Sequence, residues 1–332
     1  MKPSIRLVTA WGGAIPTYLP LFFGTAAYNP TIEFLFVADS PQPFPLPANV
    51  QWVERSMPDL LASMGERLGC DLSHAEPYKL CDFKPTFGVA LADLLEGCDF
   101  WGHVDCDLIL GDLRAFATDN RLAEHDVLSF WGRGFVHGPL TLWRNTEDIN
   151  RLYERADWQQ IFEAPEYLGF DETGKRWSSP AARRPIPVAE RHARGEVPCI
   201  TDIVYEAAAA GTLRIYDEEH IVQARPRAVV PHLALRWERG RLIDAVSQRP
   251  LAFFHIHWAK SDAERGDPAY VFPSWHWDTL PERFGITRQR IGPIDAMYYA
   301  ACLRSLGPTL RRSLRTRAGR VRRAVRRRLR SK

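Results

Sequence analysis

Three short, almost wholly apolar runs, Ile5–Thr9, Glu33–Ala38 and Phe100–Val104, alternate with stretches of helical periodicity. No other feature limits the architecture as much. A strand that is apolar at successive positions is buried on both faces, as in a parallel sheet covered by helices on each side. Each run stops at polar punctuation: WGGAIP after the first, Asp39 and SPQPFPLP after the second, Asp105-Cys106-Asp107 after the third. Helices are expected over Tyr18–Tyr28, over Met57–Leu68 (apolar at Leu60, Leu61, Met64 and Leu68), over Thr86–Leu95 after Pro85, and across Thr146–Arg155. Thr201 or Asp202 is expected to cap a helix that runs through Ala210 and stops at Gly211. Val50–Glu54, Val127–Trp131, Leu140–Trp143, Leu213–Tyr216 and Phe253–Trp258 read as further strands, and Trp158–Pro198 as an irregular, mobile loop region. The fold class expected is α/β, a mixed but mostly parallel sheet flanked by helices.

Charge divides the chain. From Arg304 to Lys332 there are thirteen Lys/Arg and no acid, which leaves 30 basic against 40 acidic residues before it. The expected organisation is therefore one catalytic domain over 1–303 and a basic tail over 304–332. In the tail Leu310, Leu314, Val321, Val325 and Leu329 recur at helical spacing among arginines, interrupted by Gly319. That is the pattern of a basic amphipathic helix on an anionic membrane surface; a disordered arm or a nucleic-acid-binding arm are the alternatives. No apolar run approaches the roughly eighteen residues of a membrane span. Six cysteines without a C-x-x-C pair suggest a reducing cytoplasm, with no disulfide framework and no zinc ribbon.

Four places can carry chemistry. Asp105 and Asp107 end an apolar strand, where paired carboxylates can share a divalent cation with a diphosphate; an Asp-x-Asp pair also arises by chance. In YKLCDFKP, Lys79, Asp82 and Lys84 lie just ahead of a helix, where lysines can neutralise phosphates or form ordinary ion pairs. In FFHIHWAK, His255 or His257 can complete a metal site and Lys260 can meet a phosphate. Asp171 and Glu172, in GFDETG, can serve as general base or merely form a turn. GRGFVHG, residues 132–138, has the wrong glycine spacing for a dinucleotide fingerprint, and there is no Walker loop, G-x-S-x-G or H-E-x-x-H. Hydride transfer, P-loop chemistry and serine hydrolysis lose their usual support.

The segments at 13–40, 76–88 (EPYKLCDFKPTFG), 99–116 (DFWGHVDCDLILGDLRAF), 137–153 and 170–172 together resemble a bacterial glycosyltransferase-like family of surface-polysaccharide loci. The resemblance implies a GT-A type fold, a single Rossmann-related α/β domain in which Asp-x-Asp holds a metal and a diphosphate. It implies that Asp105 and Asp107 bind Mn2+ or Mg2+, that Asp39 contacts the nucleoside, and that Trp11 and Gly12 line the base pocket. Lys79, Asp82 and Lys84 would then sit at the nucleotide-sugar site. His257 with Lys260 would resemble the late residues that complete metal and diphosphate binding, although the fuller His-x-x-Gly-x-x-Lys-Pro-Trp form is absent.

The function expected is metal-dependent transfer of a sugar from a nucleoside-diphosphate donor to a hydroxyl of a cell-surface glycan or glycolipid. Glu172 or Asp171 would be the base if the reaction inverts. The basic tail would hold the protein on the inner face of the cell membrane. Two rivals are another metal-dependent phosphoester enzyme, a nucleotidyltransferase or hydrolase, and a non-catalytic nucleic-acid-binding protein led by the arginine tail.

Overall fold

The computed structural model describes residues 2–176, 184–223, 233–257, 272–288 and 290–305. Its strands are β1 (Ile5–Trp11), β2 (Ile32–Ala38), β3 (Val50–Glu54), β4 (Phe100–Val104), β5 (Leu108–Leu110), β6 (Val127–Ser129), β7 (Leu140–Arg144), β8 (Ile215–Asp217), β9 (Ile221–Gln223), β10 (Ala234–Glu238), β11 (Arg241–Asp244), β12 (Pro250–Leu251), β13 (Phe253–His255), β14 (Arg283–Thr287) and β15 (Ile291–Gly292). Two compact units are present: Met1–Val222 with Ala252–His255 and Trp275–Leu280, and the remainder.

The first unit is built on a seven-stranded sheet of order β3-β2-β1-β4-β7-β6-β8, in which only β7 runs against its neighbours. This is the mixed, mostly parallel sheet expected from the apolar runs. One face buries Phe22, Phe23, Phe34, Phe36 and Phe100; the other buries Leu60, Met64, Phe83, Phe87, Trp101 and Trp143. Each such side chain contributes roughly 1.5–3 kcal/mol by leaving water. Opposite one another across β4 and β7, Trp101 and Trp143 stack with centroids 5.7 Å apart, and the Trp101 indole donates to Asn150 Oδ1 at 2.6 Å. Next along β4, Gly102 is needed because a Cβ there would stand 2.6 Å from the Thr141 carbonyl.

The helix Met57–Leu68 forms as its spacing predicts, capped by Ser56 and ended by Gly69 at φ +70°. Several expectations need correction. Thr86–Leu95 is not one helix but a succession of short ones, Lys84–Thr86, Phe87–Ala90 and Ala92–Leu95, because Leu91 leaves the helical backbone at φ −122° and ψ 29°. The helix Ile200–Ala209 is capped by Cys199, while Asp202 at its third position returns a bond to the Cys199 backbone. Among its described residues, the stretch after Trp158 contains the helices Trp158–Glu163 and Val188–Ala193. Asp202 accepts from Arg176 at 2.8 Å and from Arg191 at 3.0 Å. Tail residues 308–330 and Lys260 lie outside the described residues.

In the second unit, a five-stranded antiparallel sheet has the order β12-β11-β10-β14-β15. Trp237 and Phe284, paired across β10 and β14, stack at 4.8 Å. A helix over 296–305 lays Tyr298 on Gly285, where a Cβ would come within 2.4 Å of the ring. Among the described residues, no helix is long and apolar enough to cross a membrane.

Candidate active site

Parallel pairing sets the carboxyl ends of β1, β2 and β4 along one edge of the sheet, the edge where α/β proteins bind ligands. At the end of β1 the loop is closed by Asp39, whose two carboxylate oxygens accept from the Gly13 amide at 3.2 and 3.1 Å. Trp11 turns its indole to the Ala14 carbonyl at 3.1 Å, and Gly12 packs on Met57 and Pro77. These three residues stand at the expected edge, and Asp39 is exposed there.

At the end of β4 the two aspartates part company. Asp105 turns to Lys84, with Oδ1 2.7 Å from Nζ. Asp107 leads into β5, which pairs antiparallel with β13 and sets His255 opposite Leu108. His255 Nε2 thereby lies 3.2 Å from Asp107 Oδ2, both residues buried. Behind them His137 stacks between Trp131 at 4.6 Å and Phe253 at 5.8 Å, and stands edge-on to His255 at 6.3 Å. Burial keeps the His137 imidazole well below its ordinary pKa and so uncharged. His257 follows two residues along the same chain segment.

Lys84 is shared. Its ammonium also lies 3.4 Å from Asp171 Oδ2 and donates to the Gly138 carbonyl at 3.1 Å. The Gly138 amide donates in turn to Glu172 Oε1 at 3.0 Å. A side chain at 138 would not fit: a Cβ would stand 2.6 Å from Asp171 Oδ2 and 2.7 Å from Glu172 Cγ. The Tyr167 hydroxyl donates to Asp171 Oδ1 at 2.9 Å. Burial pushes the Asp171 carboxyl up to about 8, against the opposing pull of Lys84, with the Glu172 charge adding to the rise. Glu172 and Asp105 are also raised, by burial first, with Lys84 again opposing. Burial alone would lower Lys84, yet the carboxylates of Asp105 and Asp171 hold its ammonium well above the ordinary lysine range. Tyr18 is half-buried close to this charge; burial and then the nearby Cys106, Asp107 and Asp105 push its phenol up.

Lys79 and Asp82 require correction, since neither can reach a bound nucleotide. Both are sealed from solvent: Lys79 Nζ donates to Asp82 at 2.8 Å and to the carbonyls of Ile161 and Glu166 at 2.5 and 2.9 Å. The Asp82 carboxylate receives the amides of Leu168 and Phe170, each at 2.7 Å. The pair anchors the loop that presents Asp171 and Glu172.

Sequence reasoning did not single out Gly138, Tyr167 or Tyr18. The Gly138 signal lies in GRGFVHG, whose glycines hold a turn rather than a cofactor. Asp217 accepts from the Gly132 and Gly134 amides at 2.6 and 2.8 Å, both glycines having positive φ. Tyr167 stands four residues before Asp171, with nothing in the sequence to link them.

Carboxylate and imidazole oxygen and nitrogen donors converging at one strand end fit a divalent cation of intermediate hardness, such as Mn2+. Fold and site together define a mixed α/β protein with a charged site on the carboxyl edge of its sheet. The chain belongs to the family of unknown function DUF6625, whose model matches residues 7–266. Among solved structures it is similar to the galactosyltransferase LgtC with donor and acceptor sugar analogs, at 10% identity over 76% of this chain and 86% of that one, TM-score 0.34. It is similar to mouse xyloside xylosyltransferase 1 at 8% identity over 77% and 98%, TM-score 0.39. A glycosyltransferase involved in glycosylation of the major capsid of PBCV-1 gives 10% identity over 76% and 93%, TM-score 0.36. Likeness at this level carries no chemistry over to this chain. No curated protein matches the sequence.

Proposed function

We propose that the protein transfers a sugar from a nucleoside-diphosphate donor to a hydroxyl of a cell-surface glycan or glycolipid, working at the cytoplasmic face of the membrane in bacteria. The observation that carries this reading is the Asp107–His255 pair standing beside a lysine shared by Asp105 and Asp171. Asp107, His255 and His257 would hold Mn2+ or Mg2+, which supplies a Lewis acid against the charge that grows on a leaving diphosphate.

The protein's own groups do the rest. Lys84 supplies a fixed positive charge whose orientation is set before substrate arrives, so no reorganisation is needed as charge develops. Asp39, Trp11 and Gly12 receive the nucleoside at the same sheet edge. Glu172, with Oε1 held by the Gly138 amide, would take the acceptor proton on Oε2; its raised pKa brings it nearer neutrality, where a general base works best. Asp171, tied to Tyr167 and Lys84, orients Lys84. The basic segment 304–332 would hold the protein beside a membrane-borne acceptor.

The test is a screen of UDP-, GDP- and other activated sugars with Mn2+, reading thermal stabilisation and nucleotide release, with Asp105→Ala/Asp107→Ala as control. One donor is expected to stabilise the protein only with metal and only in the unsubstituted chain. Nucleotide release with no sugar passed to any acceptor or to water would instead make it a phosphoester enzyme of another kind. A well-folded protein silent toward every donor would overturn the catalytic reading.

A further inference from the structure

The helix over 296–305 faces two ways. Tyr298 and Ala301 turn inward, at 4% and 8% exposure, while Met297, Tyr299 and Leu303 turn outward at 53%, 54% and 69%. At 100° per residue the outward arc runs Tyr299, Leu303, Ala296, Ala300, Arg304, Met297, with one arginine and no acid on it. Large apolar groups scattered singly over a surface need no explanation, whereas several on one short helical face mark a contact. Directly after this face the sequence turns basic, with thirteen Lys/Arg and no acid from Arg304 onward.

We propose that the outward face of this helix inserts into the headgroup region of an anionic bilayer, with Met297, Tyr299 and Leu303 as its apolar contact and Tyr299 placed at the polar boundary. The proposal rests on the membrane-facing reading above and deepens it. The basic segment alone gives attraction that salt weakens, and stable peripheral binding takes a second, apolar signal. Charge selects the occupant. A second copy seated on the same face would bring another basic segment alongside the first, while an anionic lipid surface matches both the apolar arc and the charge.

The experiment is co-sedimentation of the full chain with mixed phosphatidylcholine–phosphatidylglycerol vesicles, and with phosphatidylcholine alone, at about 0.1 M and about 0.5 M salt. Met297→Ser/Tyr299→Ser/Leu303→Ser is expected to lower partitioning onto the anionic vesicles about ten- to a hundred-fold at the lower salt, with the unfolding midpoint unchanged. Leu303→Trp, at a position already in water, is expected to raise it several-fold, so the inference stands or falls even if the triple variant is poorly folded. Triple-variant binding equal to that of the unsubstituted chain, or Leu303→Trp leaving partitioning unchanged, overturns the helix contact while leaving the basic segment as anchor. No binding of the unsubstituted chain to anionic vesicles overturns the membrane reading itself. A lipid-free dimer that the triple variant abolishes assigns the face to self-association and overturns the proposal.

Discussion

Lys79 and Lys84 stand five residues apart in YKLCDFKP, and each is paired with an aspartate, yet they do opposite work. The Lys79–Asp82 pair is 0% exposed on both sides, and the donors and acceptors named above are all met from within the protein. Lys84 is also deep, at 9%, but its partner Asp105 is 29% exposed, and one ammonium serves two carboxylates and a carbonyl. A sealed and satisfied pair fixes a loop. A lysine whose three donors meet two carboxylates and a carbonyl, one of those carboxylates partly open to solvent, would be placed to exchange a partner for the donor proposed above. The difference lies in how the pairs are completed, since the residue types are the same.

The largest effect that could break this comparison is on turnover. Lys84→Met is expected to lower turnover of the donor found in the screen by about 10²–10³-fold, the cost of losing one fixed charge at a reacting centre, with a smaller loss of stability than at Lys79 because Asp105 reaches solvent. Lys79→Met should do the reverse: a loss of roughly 3–5 kcal/mol of stability because Asp82 is left buried and unpaired, with turnover per folded molecule largely kept. Lys79→Met/Asp82→Leu should recover part of that stability, since both charges are gone. Equal behaviour of the two lysines in both assays would erase the distinction. A smaller effect belongs to Gly138→Ala. Its methyl group would push Asp171 and Glu172 apart, and turnover should fall roughly ten- to a hundred-fold at nearly constant donor affinity, as misplacement without lost binding does.

Much of this arrangement can be read from the chain. The apolar runs of β1, β2 and β4 dictate a sheet covered on both sides, and the polar residues that end them lie on its carboxyl edge. What the chain conceals is what depends on distant partners. His255 reaches Asp107 across 148 positions through a three-residue ladder, β5 against β13, too short for any periodic signal. Lys79 and Lys84 cannot be told apart locally, because the loop around 161–171 gives Lys79 two carbonyls and holds its aspartate by two amides, but meets Lys84 through the Asp171 carboxylate. Gly138 looks like turn punctuation until the carboxylates packed on it are seen.

A pH titration tests the shared lysine from its other side. In the folded protein Asp171 holds its proton up to about 8, while in the unfolded chain it would release it near the ordinary value of about 3.9. Between those limits the folded state binds more protons than the unfolded state, so this group makes stability fall as pH rises, in full only above the folded pKa. Asp171→Asn removes the titration but keeps the shape. The variant should therefore match the unsubstituted protein at about pH 4 and gain on it steadily towards about pH 9, by up to roughly 5 kcal/mol, measured by denaturant unfolding at each pH. The pull of Lys84 is already contained in that folded value; burial alone would hold the proton more tightly still. Parallel stability profiles would mean that Lys84 neutralises Asp171 as completely as Lys79 neutralises Asp82. The second pair would then be as closed as the first.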